Sequence, residues 1–149
     1  MIRWGTKEDL NQIEAFDEFG GNREREITNQ CLKVYLANNK VVGYISVVED
    51  SCLCGHPIIS FLCIHPQYRR QGIASKLLTE VETQYSDATP RRRQAQGNAH
   101  QDSDRKLFIS TESNNPIMLD LIKERDYVLA GSLAGINDDG SDEVYFYKV

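Results

Sequence analysis

Residues 58–85 carry the pattern that most restricts how this chain folds. Ile58-Ile59-Ser60-Phe61-Leu62-Cys63-Ile64 is an apolar run rich in β-branched and aromatic residues, which reads as a buried strand. His65-Pro66 stops it, because proline has no N–H to give to a sheet ladder. A short basic turn, Tyr68-Arg69-Arg70-Gln71-Gly72, then leads into a helix. The helix's apolar residues Ala74, Leu77, Leu78, Val81 and Tyr85 recur at i, i+3, i+4, i+7 and i+11, a single face. Strand, basic glycine-containing turn and helix together can hold an anion. The amides of a helix's first turn have no partner inside the helix, and the macrodipole makes that end positive. A glycine there lets a phosphate reach the backbone without meeting a Cβ, and Arg69 and Arg70 add charge and forked hydrogen bonds. The plainer alternative is a solvated basic turn.

The segments on either side read as alternating helices and strands. Met1–Trp4 is a short first strand. Thr6 caps a helix from Lys7 with Asp9 three residues on, and Leu10, Ile13 and Phe16 point inward. Phe19-Gly20-Gly21-Asn22 breaks that helix, and Arg23–Gln30 is a weaker one of alternating charge. Cys31–Ala37 and Val41–Val48 form a hairpin joined by Asn38-Asn39-Lys40. Beyond the central helix, Ser86–Asp104 holds nothing more apolar than alanine, and reads as a disordered, mobile excursion. Leu107–Thr111 returns as a strand. Asn115 is an N-cap with Pro116 at the first helical position, and Ile117, Met118, Leu121 and Ile122 form the buried face. Asp126 ends this helix. Tyr127–Ala134 and Glu143–Val149 form a last antiparallel pair around Asn137-Asp138-Asp139-Gly140.

Leu62-x-Ile64-x-Pro66-x-x-Arg69-Arg70-x-Gly72-Ile73-Ala74 resembles the coenzyme A signature of the GNAT superfamily of N-acetyltransferases. The order of the remaining segments, with Asn115 opening a helix, resembles that family over nearly the whole chain apart from the 86–104 loop. The resemblance implies an α/β fold, a mixed but mostly antiparallel sheet of about seven strands flanked by about four helices, in one domain spanning 1–149. It implies acetyl-CoA as cofactor, gripped by Leu62, Cys63, Ile64, Arg69, Arg70, Gln71, Gly72, Ile73, Ala74, Ser75 and Asn115. It also implies that a main-chain N–H at Leu62 or Cys63 holds the oxyanion during acyl transfer. The amides of Leu62–Ile64 would pair with the pantetheine arm as an added strand does. A homodimer is an expectation of the family.

Three positions depart from the family pattern. Seven residues after Asn115 the family often has a tyrosine that protonates the departing thiolate, and here stands Ile122. The Gly-Phe at the helix end is Asp126-Tyr127, and a glutamate base found in some members is Ser110. A thiol with a pKa of about 8.5 leaves tolerably well as thiolate, so a missing acid costs at most about 10²–10⁴ in rate. Deprotonating the acceptor is harder, since a lysine-like amine is only about 0.04% free base at pH 7. Candidate bases are Glu49, Asp50, Glu112 and His65, with Glu112 and Glu49 preferred. Tyr145 or Tyr147 could replace the missing acid, or be aromatics of core and edge.

A net charge of −5 argues against general nucleic-acid binding and suits a cationic substrate. The expected acceptor is a small-molecule or peptide amine, the expected location cytoplasmic, and no apolar run is long enough to span a membrane. Cys31, Cys52, Cys54 and Cys63 suggest no disulfide framework, and Cys52-Leu53-Cys54-Gly55-His56 lacks the spacing of a zinc clip, so no metal is expected. A thiol nucleophile at Cys63 would need an orienting histidine. Three other functions compete: a CoA-binding sensor that has lost catalysis, acyl transfer to a hydroxyl, and partner binding through Arg91-Arg92-Arg93.

Overall fold

The computed structural model describes residues 1–85 and 106–149. The Ser86–Asp104 segment and its arginine run therefore lie outside the described residues. Seven strands and four α-helices are present among those described, an α/β fold. The chain forms two compact units, Met1–Glu49 with Ile59–Val81, and Asp50–Ile58 with Glu82–Val149.

The first unit runs β1 (Ile2–Trp4), a 3₁₀ turn (Lys7–Asp9), α1 (Leu10–Glu14), α2 (Arg23–Thr28), β2 (Leu32–Ala37), β3 (Lys40–Val48), β4 (Ile58–Ile64) and α3 (Ile73–Gln84), the boundary residues of β4 and α3 aside. Its strands lie in the order β1-β2-β3-β4. The start of the first helix is tightened to 3₁₀ because the Asp9 carboxylate turns back, accepting from Thr6 N–H at 2.8 Å and from both terminal nitrogens of Arg3 at 2.7 and 2.9 Å. The hairpin turn holds two residues, one fewer than expected. Ala37 pairs with Lys40, and Asn38 and Asn39 both take positive φ, at 50° and 62°, the mirror-image turn that suits strand twist. α2 stops at Thr28, two residues short of the expected end, with the Asn22 side chain capping Arg25 N–H at 2.9 Å. Ile13, Phe16, Ile27, Leu32, Val34, Val41, Tyr44 and Cys63 form one core cluster. Each large apolar side chain removed from water contributes ~1.5–3 kcal/mol, and Val42, Ile45, Val47, Ile59, Ile73, Leu77, Leu78 and Val81 are buried in the same unit.

The second unit comprises the loop 50–57, β5 (Leu107–Glu112), α4 (Pro116–Lys123), β6 (Val128–Leu133) and β7 (Glu143–Lys148), with strand order β5-β7-β6 and both pairings antiparallel. Leu107, Ile109 and Thr111 are buried in alternation along β5, and Phe146 opposite Ile109 is buried with them. Asn115 caps α4 as expected, accepting from Met118 N–H at 3.2 Å. Ile122 is fully buried, but Ile117 is 67% exposed, contrary to the expected inward face. It sits at the second position of the helix, on the open first turn. Asp126 ends the helix segment with a φ of 65°, the left-handed conformation that glycine adopts more cheaply.

Candidate functional site

The turn between β4 and α3 is built from unusual backbone. Pro66–Tyr68 forms a single 3₁₀ turn capped by His65, whose Nδ1 accepts from Gln67 N–H at 3.1 Å. That bond occupies a lone pair His65 would need as a base, and its ring packs edge-on against Tyr68 and beside Phe16. Arg70 then takes a φ of 61° and Gly72 one of 78°, while Arg69 is at −69° and neither Gln71 nor Ile73 is positive. Residues of alternating handedness turn successive N–H groups toward one side, the concave arrangement that binds anions. A Cβ built on Gly72 would meet nothing within 4 Å, so the space before this backbone is open. The first backbone bond of α3 runs from Lys76 N–H to Gly72 carbonyl at 3.1 Å, which leaves the amides of Ile73, Ala74 and Ser75 pointing out of a 12-residue helix.

Arg69 and Arg70 play different parts. Arg70 is exposed on its left-handed corner. Arg69 donates from Nε to the Ile64 carbonyl at 3.0 Å and from a terminal nitrogen to Glu18 at 2.6 Å. Two of its three nitrogens thus hold the end of β4 in place, a structural task that sequence reasoning did not assign.

β4 itself loses its regular pleat in the middle. Ser60 Oγ lies 3.1 Å from Ser46 Oγ on β3. The next residue, Phe61, lays its ring 4.0 Å from the Arg23 guanidinium, which also lies over Tyr44, two residues from Ser46. Adjacent residues of a regular strand point to opposite faces, so two neighbours reaching groups on one face mark a β-bulge. Main-chain groups at a bulge leave the ladder, here beside Leu62 and Cys63. The Cys63 side chain is 3% exposed, its thiol 3.6 Å from the Phe16 carbonyl, and burial pushes its pKa up. A nucleophilic thiol is excluded by that burial.

In the second unit, Glu112 lies on the same face of β5 as Ser110, one pleat further along. Ser110 stands opposite Tyr145 of β7, and Glu112 opposite Glu143, so two like charges share one cross-strand position. Nothing in the sequence marked Glu143 as a partner, because the register decides it. Tyr147 packs on Phe108 at 5.9 Å and beneath Lys106, an aromatic of the sheet face. Glu49, half-buried, follows the last residue of β3 in the first unit and pushes the Cys31 thiol up together with burial, the larger effect. The capping bond uses the Asn115 carbonyl oxygen and leaves its amide N–H₂ as donor. Ile122, at the place of the expected phenol, is wholly packed. Cys52 and Cys54 are exposed, and no three metal-ligating side chains gather among the described residues.

A bulged strand, a turn of alternating φ and a helix N-terminus follow one another here. The chain belongs to the GNAT acetyltransferase domain family, whose model matches residues 6–111, and acetyl-CoA is the acyl donor of that family. It is similar in fold to a GNAT-family acetyltransferase from Bacillus cereus, with 21% identity, 99% of this chain and 95% of that one covered, and a TM-score of 0.73. A ribosomal-protein-alanine N-acetyltransferase from Brucella melitensis aligns over 100% and 99% of the two chains at 19% identity and a TM-score of 0.73. Chaetomium thermophilum Naa20 in complex with a bisubstrate analogue aligns over 99% and 85% at 17% identity and a TM-score of 0.78. No curated protein sequence matches the chain. Among the described residues no helix is long and apolar enough to cross a membrane.

Proposed function

We propose that this chain is an N-acetyltransferase that moves an acetyl group from acetyl-CoA to a primary amine, by direct attack on the thioester. The observation that carries the reading is the alternation of φ at Arg70–Ile73 in front of an open Gly72, which suits a diphosphate. The amides of Gln71–Ser75 and the Arg70 side chain would hold acetyl-CoA, which supplies an acyl group already activated for attack. Donors at Leu62 or Cys63, next to the bulge, suit the oxygen on which negative charge grows, and a fixed donor of that kind is worth about 10²–10³ in rate. The amine is protonated at neutral pH, so a carboxylate must accept its proton. Glu112 is the preferred acceptor because it shares a face with Ser110, the position of the base in some relatives, and Glu49 is the second.

The ribosomal-protein-alanine N-acetyltransferase of similar fold supports a protein or peptide amine, and the acceptor is defined here as a primary amine. The buried Ile122 favours a second reading, a CoA-binding module without turnover. Thiol release from acetyl-CoA measured across a panel of amines and N-terminal peptides separates the two. Amine-dependent release is expected, with Glu112→Gln losing most rate at neutral pH, where the amine is protonated, and least as pH approaches the amine's own pKa. Tight binding without release under every acceptor would reject the enzyme reading.

A further inference from the structure

We infer that Arg23 is a positioning residue for acetyl transfer, acting through the Phe61 ring on the main-chain N–H of Leu62. The inference rests on the acetyltransferase reading above and adds to it a residue that touches neither donor nor acceptor. Arg23 sits at the start of α2, in the segment whose composition suggested only a weak polar helix, yet its side chain is 4% exposed. Nε donates to Asp17 at 3.0 Å, one terminal nitrogen to both Glu26 oxygens at 2.7 Å, and the other to the Gly20 carbonyl. Tyr44 completes the cluster by donating its hydroxyl to Asp17 at 2.6 Å. A planar fork with every edge engaged has one orientation only.

What that orientation holds is the bulge. The guanidinium face lies 4.0 Å from the centre of the Phe61 ring, a cation–π contact in a dry setting. Phe61 is the residue at which β4 departs from its pleat, and Leu62 follows it. Gly21 shows how closely the turn is fitted. At a φ of 109°, a Cβ there would lie 2.9 Å from the Arg23 fork and 3.4 Å from Phe61. A buried ion cluster adds little net stability over an apolar plug of equal volume, but an apolar plug supplies no directional hold. The charge is therefore spent on geometry. A donor displaced by about 1 Å costs about 10² in rate. None of Arg23's partners belongs to residues 69–75, so donor binding and donor geometry are separable.

The test uses the full chain with Arg23→Met, Arg23→Lys and Phe61→Leu, the last keeping the ion cluster whole. Expected are a fall in kcat of about 10²-fold for Arg23→Met and about 10-fold for Phe61→Leu, partial recovery in Arg23→Lys, and acetyl-CoA Kd within threefold of wild type. A merely structural role would move Kd, kcat and melting temperature together. Amide hydrogen exchange supplies a readout that needs no turnover: Leu62 and Cys63 should exchange about tenfold faster in Phe61→Leu, with Ile73–Lys76 unchanged. A wild type that binds acetyl-CoA and transfers nothing would defeat the functional reading, while the exchange result still judges Arg23 and Phe61. Unchanged kcat in a folded Phe61→Leu with turnover intact, or unchanged Leu62 exchange, overturns the inference.

Discussion

Two polar regions of this chain are built to opposite rules. At Arg69–Ser75 the backbone turns through alternating φ, its helix amides face outward and the space before Gly72 is open. Around Glu82 nothing is left open. Its carboxylate accepts from Arg125 at 2.9 and 2.8 Å and from the Tyr127 hydroxyl at 3.1 Å, with the Lys148 ammonium at 3.6 Å. Glu82 and Arg125 side chains are only 14% and 17% exposed. A closed knot of this kind serves stability, because every buried charge has its counter-charge, and it offers a ligand nothing. Open donors do the reverse: they contribute little to folding and become useful when an anion arrives.

Changes at the two regions should therefore move different observables. The largest effect is expected for Gly72→Glu, which sets a carboxylate where the diphosphate would lie. Calorimetry should show acetyl-CoA affinity reduced at least about 100-fold, a loss near 2.7 kcal/mol, with far-ultraviolet circular dichroism unchanged. Equal affinity in that variant would erase the contrast drawn here. Next comes Glu82→Gln, which leaves the mostly buried Arg125 without its charge partner. Urea unfolding should report a loss of about 3 kcal/mol, and the acetyl-CoA Kd should stay within twofold of wild type.

Acid should attack the knot in a defined window. Burial pushes the Glu82 carboxyl up, but the hydrogen bonds and charge of Arg125, with help from Lys148 and Tyr127, outweigh it and hold the group below its usual range. Asp9 is likewise held low, first by the Arg3 hydrogen bonds. A carboxylate with a depressed folded pKa contributes stability that is complete above its unfolded value, about 4.3 for glutamate, and is lost as pH falls through the folded value. The urea midpoint should be flat above about pH 5 and decline below it, and Glu82→Gln should shallow that decline. A decline of undiminished slope in the variant would show that Glu82 is not among the groups responsible. The smallest effect is expected at Asp126, whose φ of 65° strains a side-chain-bearing residue. Asp126→Gly should stabilise by about 1 kcal/mol and raise the melting temperature by a few degrees.

Much of the fold could be read from local pattern, because the physics involved is local. The apolar run at Ile58–Ile64, the helical face of Leu77, Leu78 and Val81, and the Asn115-Pro116 start all follow from spacing and capping chemistry over a few residues. The turn before α3 was visible for the same reason: Gly72, at a φ of 78°, and a helix start are sequence features. Ile117 misled because a helix's periodicity gives a face but not how far its first turn rests on the sheet.

Other features were invisible. Arg69 reads as a phosphate ligand, yet two of its nitrogens reach Glu18 and the Ile64 carbonyl, a pairing made across 51 and 5 residues. Glu143 joins Glu112 only through the β5–β7 register. Arg23 looks like one charge in a polar helix until Asp17, Gly20, Glu26 and Phe61 close around it. Residue type and spacing, then, determined by themselves where the strands and helices run and which helix start leaves its amides unpaired, since backbone propensity and capping act over a single turn. The tertiary structure alone decided which charges are spent holding the molecule together and where β4 breaks its pleat, because desolvation and register depend on residues brought together from distant parts of the chain.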